Sequence, residues 1–150
     1  MKVVIQRVSN AAVSIDGKVH AQINQGFLVL LGIGKTDDAD DLAYIVQKTL
    51  GLRVFSDQEG KMNLALDEIS GEILLISQFT LFASTRKGNR PSFIDAAPPS
   101  IAIPIYEQVI QNFQSHLGNR LKSGIFGADM KVSLINDGPV TIMIDSKTKD

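Results

Sequence analysis

The chain has 150 residues, 44% of them hydrophobic and 21% charged, which is long enough for one sizeable core and too evenly mixed for a disordered protein. Fifteen basic against sixteen acidic residues leave a net charge of -1, so any attraction for a nucleic acid must come from a local patch. The absence of Cys excludes disulfides, thiolate metal sites and a Cys nucleophile.

The start, Met1-Lys2-Val3-Val4-Ile5-Gln6-Arg7, meets a charge early and has no signal-peptide core. The longest apolar run, residues 27–33, falls far short of the roughly 20 residues that span a bilayer. A cytoplasmic protein without membrane association is expected. Residues 2–8 and 11–15, rich in β-branched side chains, predict strands, and Asp16-Gly17 marks a hairpin turn into a strand over 18–23. Residues 27–33 read as a buried strand. A helix follows, with Thr36, Asp37 and Asp38 offering caps and Leu42, Ile45, Val46, Thr49 and Leu50 on one face. Gly51 is expected to stop it. A short strand over 52–55, a polar turn around Asp57-Gln58-Glu59-Gly60 and a strand over 72–76 come next.

Residues 84–93 (STRKGNRPSF) have the composition of a loop. A second helix stacks Ile105, Val109, Phe113 and Leu117, and Pro104 implies that it begins or kinks there. Gly124 and Gly127 break the chain before strands at 129–135 and 140–145, joined by an Asn136-Asp137-Gly138-Pro139 turn. A frayed tail is expected over 146–150. With no repeat and no linker, the order predicts a single α/β domain, residues 1–150, around a large sheet or barrel.

Two segments place polar or conformationally special groups where strands should continue, as happens where a site is built. They are Ser77-Gln78-Phe79-Thr80-Leu81 and Asn136-Asp137-Gly138-Pro139-Val140-Thr141. The first is either a strand end whose hydroxyls satisfy backbone groups or a set of donors converging on a carbonyl oxygen. Thr80 as a nucleophile would need a base, and His20 and His116 fit structural or exposed positions better. Gly138-Pro139 is either a hairpin turn or, with a cis bond, a pair of carbonyls turned to one side and suited to an ammonium group. Arg86, Lys87 and Arg90 are a solvated loop face or a phosphate-contacting patch. Gly32-Ile33-Gly34-Lys35-Thr36 lacks the first Gly of a phosphate loop, and the run from Asp37 to Asp41 reads as a helix start rather than a cation site. No metal and no organic cofactor are expected.

SQFTL at Ser77, Gln78, Phe79, Thr80 and Leu81 and NDGPVT at 136–141 resemble the signature segments of the D-aminoacyl-tRNA deacylases. The resemblance covers essentially the whole chain, with VVIQRV around Arg7, KGNRPSF at 87–93 and SGIFGADM at 123–130 in matching order. It implies a compact β-rich α/β domain in β/β/α layers, with a barrel-like mixed sheet and two main helices. It also implies a homodimer with its active site at the subunit interface. The implied reaction is hydrolysis of the ester joining a D-amino acid, or glycine, to the terminal ribose of tRNA, a chiral proofreading step in translation. Ser77, Gln78, Phe79 and Thr80 would form the catalytic pocket. Gly138-Pro139, in cis, would reject L-amino acids in the partner's pocket, with Arg7 holding it and Met130 in the same substrate-binding set. Arg86, Lys87 and Arg90 would meet the tRNA, and the substrate's 2′-hydroxyl would take the part of a protein base. A non-catalytic tRNA-binding module and a Ser/Thr hydrolase of small substrates are the alternatives.

Overall fold

Lys2–Ile15 forms β1, the strand around which the rest of the sheet is arranged. The structure, a computed structural model, describes residues 1–149. One edge of β1 pairs antiparallel with β3 (Gly26–Gly32) and then with β2 (Lys18–Ile23), while β8 (Met130–Asp145) runs antiparallel to it from Lys2 to Ile15. The two strands expected at 2–8 and 11–15 are therefore one. The exposed Ser9 and Asn10, which suggest a break, lie where β1 exchanges β3 for β2, and β8 bridges the change. Asp16 and Gly17 make the expected hairpin, with φ of 51° and 75° matching the left-handed pair that such turns require.

β6 (Glu72–Ser77) lies parallel to β3, and β7 (Leu121–Ser123) parallel to β6. Parallel neighbours need long crossovers, and these contain α1 (Ala39–Gly51) and α2 (Pro99–Leu117). The six strands follow the order β2-β1-β3-β6-β7 with β8 on β1, and β2 also lies against β6 and β7. The result is a nearly closed, barrel-like mixed sheet with two helices, the architecture expected. β4 (Phe55–Ser56) and β5 (Met62–Leu64) form a separate small ribbon, so the strand predicted at 52–55 starts later.

Strand alternation sorts β3 and β6 between two cores. Phe27, Val29, Leu31, Ile73 and Leu75 pack with Ile45, Val109 and Phe113 of the helices. Leu28, Leu74 and Ile76 turn the other way, onto Val8, Ala11, Val13 and Ile23. The helix ends differ from expectation. Asp38, not Thr36 or Asp37, caps α1, in a reciprocal box with Asp41, and Gly51 is its last residue rather than a stop beyond it. α2 begins at Pro99 and continues through Pro104, which lies inside the helix.

The largest departure is at 136–141. β8 is one strand, not two strands and a turn. Gln6 pairs with Thr141 and Val8 with Asn136, so residues 137–140 stand opposite Arg7 alone and are pushed out of the ladder as a bulge. The tail is also more tied down than expected. Ser146 is buried: its backbone N–H donates to Met1 O at 2.9 Å, and its hydroxyl donates to Asp41 Oδ1 at 2.6 Å. Asp150 lies outside the described residues. Among the described residues, no helix is long and apolar enough to cross a membrane.

Candidate functional site

β6 extends one residue beyond its predicted end and stops after Ser77, where Gln78 leaves strand geometry with φ −145° and ψ 79°. The chain then winds into a 3-10 turn, Phe79–Phe82. A cleft of about 340 Å³ opens beside this junction, lined by Ser77, Gln78, Phe79, Phe126, Met130 and Val132 among others. Three of the four residues predicted as catalytic thus share one wall with Met130. Thr80 is not in that lining. It is exposed, and its Oγ1 accepts a hydrogen bond from Gln78 Nε2, which leaves the hydroxyl proton free to donate elsewhere.

The cleft is built from both cores. Ile76 reaches it from the barrel interior, and Met130 and Val132 from the start of β8. Gly124 shapes its floor: a β-carbon there would collide with Met130 Sδ and come within 3.0 Å of Ile76 Cδ1. Behind β6, Tyr106 donates its hydroxyl to Leu75 O at 3.2 Å, and burial pushes its phenol well above the usual range. Tyr106 is therefore a neutral support. Asp129, which no pattern in the sequence singles out, is the titratable residue in the lining, and it is exposed and paired with Lys131 at 2.6 Å. His20 is exposed on β2. His116, exposed near the end of α2, has Nδ1 2.9 Å from Asn112 O, and neither histidine lines the cleft. No three of His, Asp and Glu converge as a metal site among the described residues.

The second signature segment lies elsewhere. The Gly138-Pro139 bond is cis, and both residues are exposed on the bulge of β8. Arg7 braces it from the facing strand, with Nε donating to Asp137 O at 2.9 Å and Nη1 to Val54 O at 2.5 Å. The Arg7 side chain is only 11% exposed.

Arg86, Lys87 and Arg90 are all exposed and line a hollow of about 660 Å³ together with Ser84, Ser92 and Asp95. Mutual backbone hydrogen bonds of 2.8 and 2.9 Å between Ser84 and Ser92 close the base of this loop. Ion pairs among the described residues leave all three cations out. Phe93 at the loop's end meets Phe79 edge to face, with ring centroids 5.1 Å apart, so the basic loop is physically joined to the cleft.

A family model described as D-Tyr-tRNA(Tyr) deacylase matches residues 4–145. A D-aminoacyl-tRNA deacylase of Cytophaga hutchinsonii is 60% identical over 149 residues, covering 99% of each chain. One of Flavobacterium psychrophilum is 55% identical over 150 residues, covering 100% of each. A solved structure called c-Myc DNA Unwinding Element Binding Protein is similar with TM-score 0.92 and 40% identity, covering 97% of this chain and 98% of that one. A probable eukaryotic D-amino acid tRNA deacylase shares the fold at TM-score 0.80 and 18% identity, covering 95% and 97%.

Proposed function

The chain belongs to the D-Tyr-tRNA(Tyr) deacylase family and hydrolyses D-aminoacyl-tRNA, and on that premise we propose how its two signature segments divide the work. Ser77, Gln78, Phe79 and Thr80 hold the scissile ester, and Gly138-Pro139 of a second subunit decides which amino acids reach it. The reaction releases free amino acid and tRNA, in the cytoplasm, as a check on translation.

Ester hydrolysis requires donors aimed at the carbonyl oxygen as negative charge builds on it. The Ser77 hydroxyl and the Gln78 amide supply side-chain donors in the cleft lining, and the Thr80 hydroxyl, tied to Gln78, supplies another beside it. The leading N–H groups of a 3-10 turn lack intrahelical partners, and here they belong to Phe79 and Thr80. The cleft offers no buried base, since Asp129 is exposed and engaged by Lys131. The terminal ribose's own 2′-hydroxyl therefore assists the attacking water, and Thr80 positions the ester without forming a covalent intermediate.

One observation carries the division of labour: no residue of the braced bulge lines its own cleft. Six paired positions of β8, roughly 20 Å at about 3.3 Å per residue, separate Met130 from Asn136, where the bulge begins. A segment held so firmly and facing outward suits the pocket of a partner. β8 also presents a 16-residue strand with one edge on β1 and its other edge unpaired among the described residues, and Ile135 and Met143 on it are 57% and 73% exposed. In a two-fold pair the same surface serves both subunits, and each clamp enters the other's cleft. A rigid backbone element touching only atoms around Cα excludes an L side chain whatever its chemistry, while D-amino acids and glycine pass.

Incubation with matched D-, L- and glycyl-tRNA tests this directly. Release of the D-amino acid and glycine with the L-ester intact is expected. Equal loss of D- and L-esters overturns the clamp, and stability of all three overturns the hydrolytic assignment.

A further inference from the structure

Gly32-Ile33-Gly34 lacks the first Gly of a phosphate loop, yet both of its glycines are buried and neither has the positive φ that calls for glycine. Their requirement is space. A β-carbon on Gly32 would lie 3.1 Å from Gln78 O, 3.1 Å from Leu81 Cβ and 3.2 Å from Phe82 Cδ2. One on Gly34 would lie 2.9 Å from both Cε1 and Cζ of Phe82. Both glycines therefore press against one object, the 3-10 turn that carries Phe79 and Thr80.

We propose that Gly32, Gly34 and Phe82 form a seat that sets the position of the Gln78–Thr80 backbone, and that Phe82 is a positioning residue for the deacylation. The inference rests on the proposed role of Ser77, Gln78, Phe79 and Thr80. Three fixings converge on the seat. Gln78 N–H donates to Leu31 O at 2.7 Å, which pins the start of the turn to the end of β3. Gly34 N–H donates to Asp37 Oδ2 at 2.7 Å, and Asp37 Oδ1 accepts from the Met1 ammonium at 2.6 Å, which pins the glycine side. The Lys2 ammonium stands over the Phe82 ring, 5.0 Å from its centroid. A side chain at Gly32 or Gly34 would displace the ring and, through it, the turn two residues away that bears Thr80. Donors must lie within a narrow range of the developing oxyanion, so a shift of an ångström there is costly to catalysis.

The decisive variant is Gly34→Ala, assayed on D-aminoacyl-tRNA. It should lower kcat about tenfold or more while KM changes about twofold or less, because the basic loop that meets the tRNA is untouched. The double variant Gly34→Ala/Phe82→Leu should regain most of the activity, since leucine lacks the Cε1 and Cζ atoms that the new methyl strikes. Gly51→Ala, where nothing lies within 4 Å, is the control and should leave kcat unchanged. An unchanged kcat in folded Gly34→Ala, or a deficit that Phe82→Leu does not relieve, overturns the seat. If Gly34→Ala does not fold, Phe82→Ala takes its place: kcat should fall and KM hold, and an unaltered kcat refutes the proposal. Gln78→Ala and Thr80→Val run in parallel separate the two levels. Should they lower kcat when the seat variants do not, only the seat is wrong; should they too have no effect, the site assignment falls.

Discussion

The guanidinium of Arg7 passes so close to Gly138 that a β-carbon on that glycine would lie 2.6 Å from Arg7 Nη2. Gly138 also has φ of +130°, a region that side chains rarely enter, so two independent causes reserve the position for glycine. The arginine and the glycine make one device: the bulge exposes its backbone because the brace leaves no room for anything else.

Arg7→Ala should free the bulge while leaving the cleft intact. Losing the charged donor to Val54 O and Asp137 O should cost about 1–3 kcal/mol of stability, measured by urea unfolding. Hydrolysis of L-aminoacyl-tRNA should rise severalfold relative to the D-ester. A D-to-L ratio unchanged in the folded variant removes Arg7 from the discrimination.

For Thr80 the expected pattern separates positioning from nucleophilic attack. Thr80→Ser keeps the hydroxyl and should keep most activity, whereas Thr80→Val should lose up to about a hundredfold in kcat through the missing donor. Mass spectrometry of a rapidly quenched reaction should show no acyl adduct on the protein. Detection of one on Thr80 establishes covalent catalysis instead.

Gly124→Ala should act through Met130. The added methyl must displace Met130 Sδ, and the long, flexible thioether has the cleft as its open side. The expected result is a raised KM for D-aminoacyl-tRNAs with bulky side chains and a smaller effect for glycyl-tRNA. Equal effects on both would mean that the methionine moves away from the cleft.

Removing two of the charges at Arg86, Lys87 and Arg90 should weaken tRNA binding and flatten its salt dependence, by roughly 0.7–0.9 in the log–log slope for each phosphate no longer neutralised. Deacylation of a short aminoacyl-adenosine should not change. Unaltered tRNA affinity assigns the loop to solvent.

Acid should loosen the junction of chain ends. Burial alone would raise the Asp41 carboxyl, but the hydrogen bonds from Lys147, Ser146 and the Asp38 backbone, with the nearby amino terminus, hold it well below the ordinary 3.8. A depressed carboxylate contributes stability that is complete above its unfolded value and lost as pH falls through and below that value. Asp41→Asn should thus be less stable than the parent protein at pH 7, with the gap narrowing below about pH 4. A gap that stays constant from pH 7 to 3 denies Asp41 this role.

How far the fold can be read depends on whether the deciding interaction is local. Asp16-Gly17 announces a turn because its conformation is set within four residues. Asp137-Gly138-Pro139 carries nearly the same signal, yet it forms a bulge, because β1 runs past it and pairs on both sides. No feature of the segment itself reveals that partner. The short β7 leaves no pattern of its own to read, because it is formed by its neighbour β6. The acidic run does start a helix, as its composition implies, but Asp37 and Asp41 also clasp Met1 and Lys147, partners at opposite ends of the chain. In the site, the hydroxyl and amide donors are legible as breaches of strand pattern. Their assembly with Met130, and the tie from Arg7 to the bulge, follow from the family resemblance alone. The service of Gly32 and Gly34 to the turn is hidden behind a false likeness to a phosphate loop.

β8 carries Met130 at one end and the Gly138-Pro139 bulge further along, on a single strand paired with β1 on both sides of the bulge. In the proposed two-fold pair, that strand works as a ruler: it contributes the floor of one pocket and the gate of the other, at a spacing set by its own rise. Damage to both places in one copy is then not confined to one reaction centre. A mixed dimer with one chain altered at both places would hold one centre with a faulty floor and a sound gate, and another with a sound floor and a faulty gate. Neither would match the parent enzyme, so such a chain would poison its normal partner rather than simply dilute it.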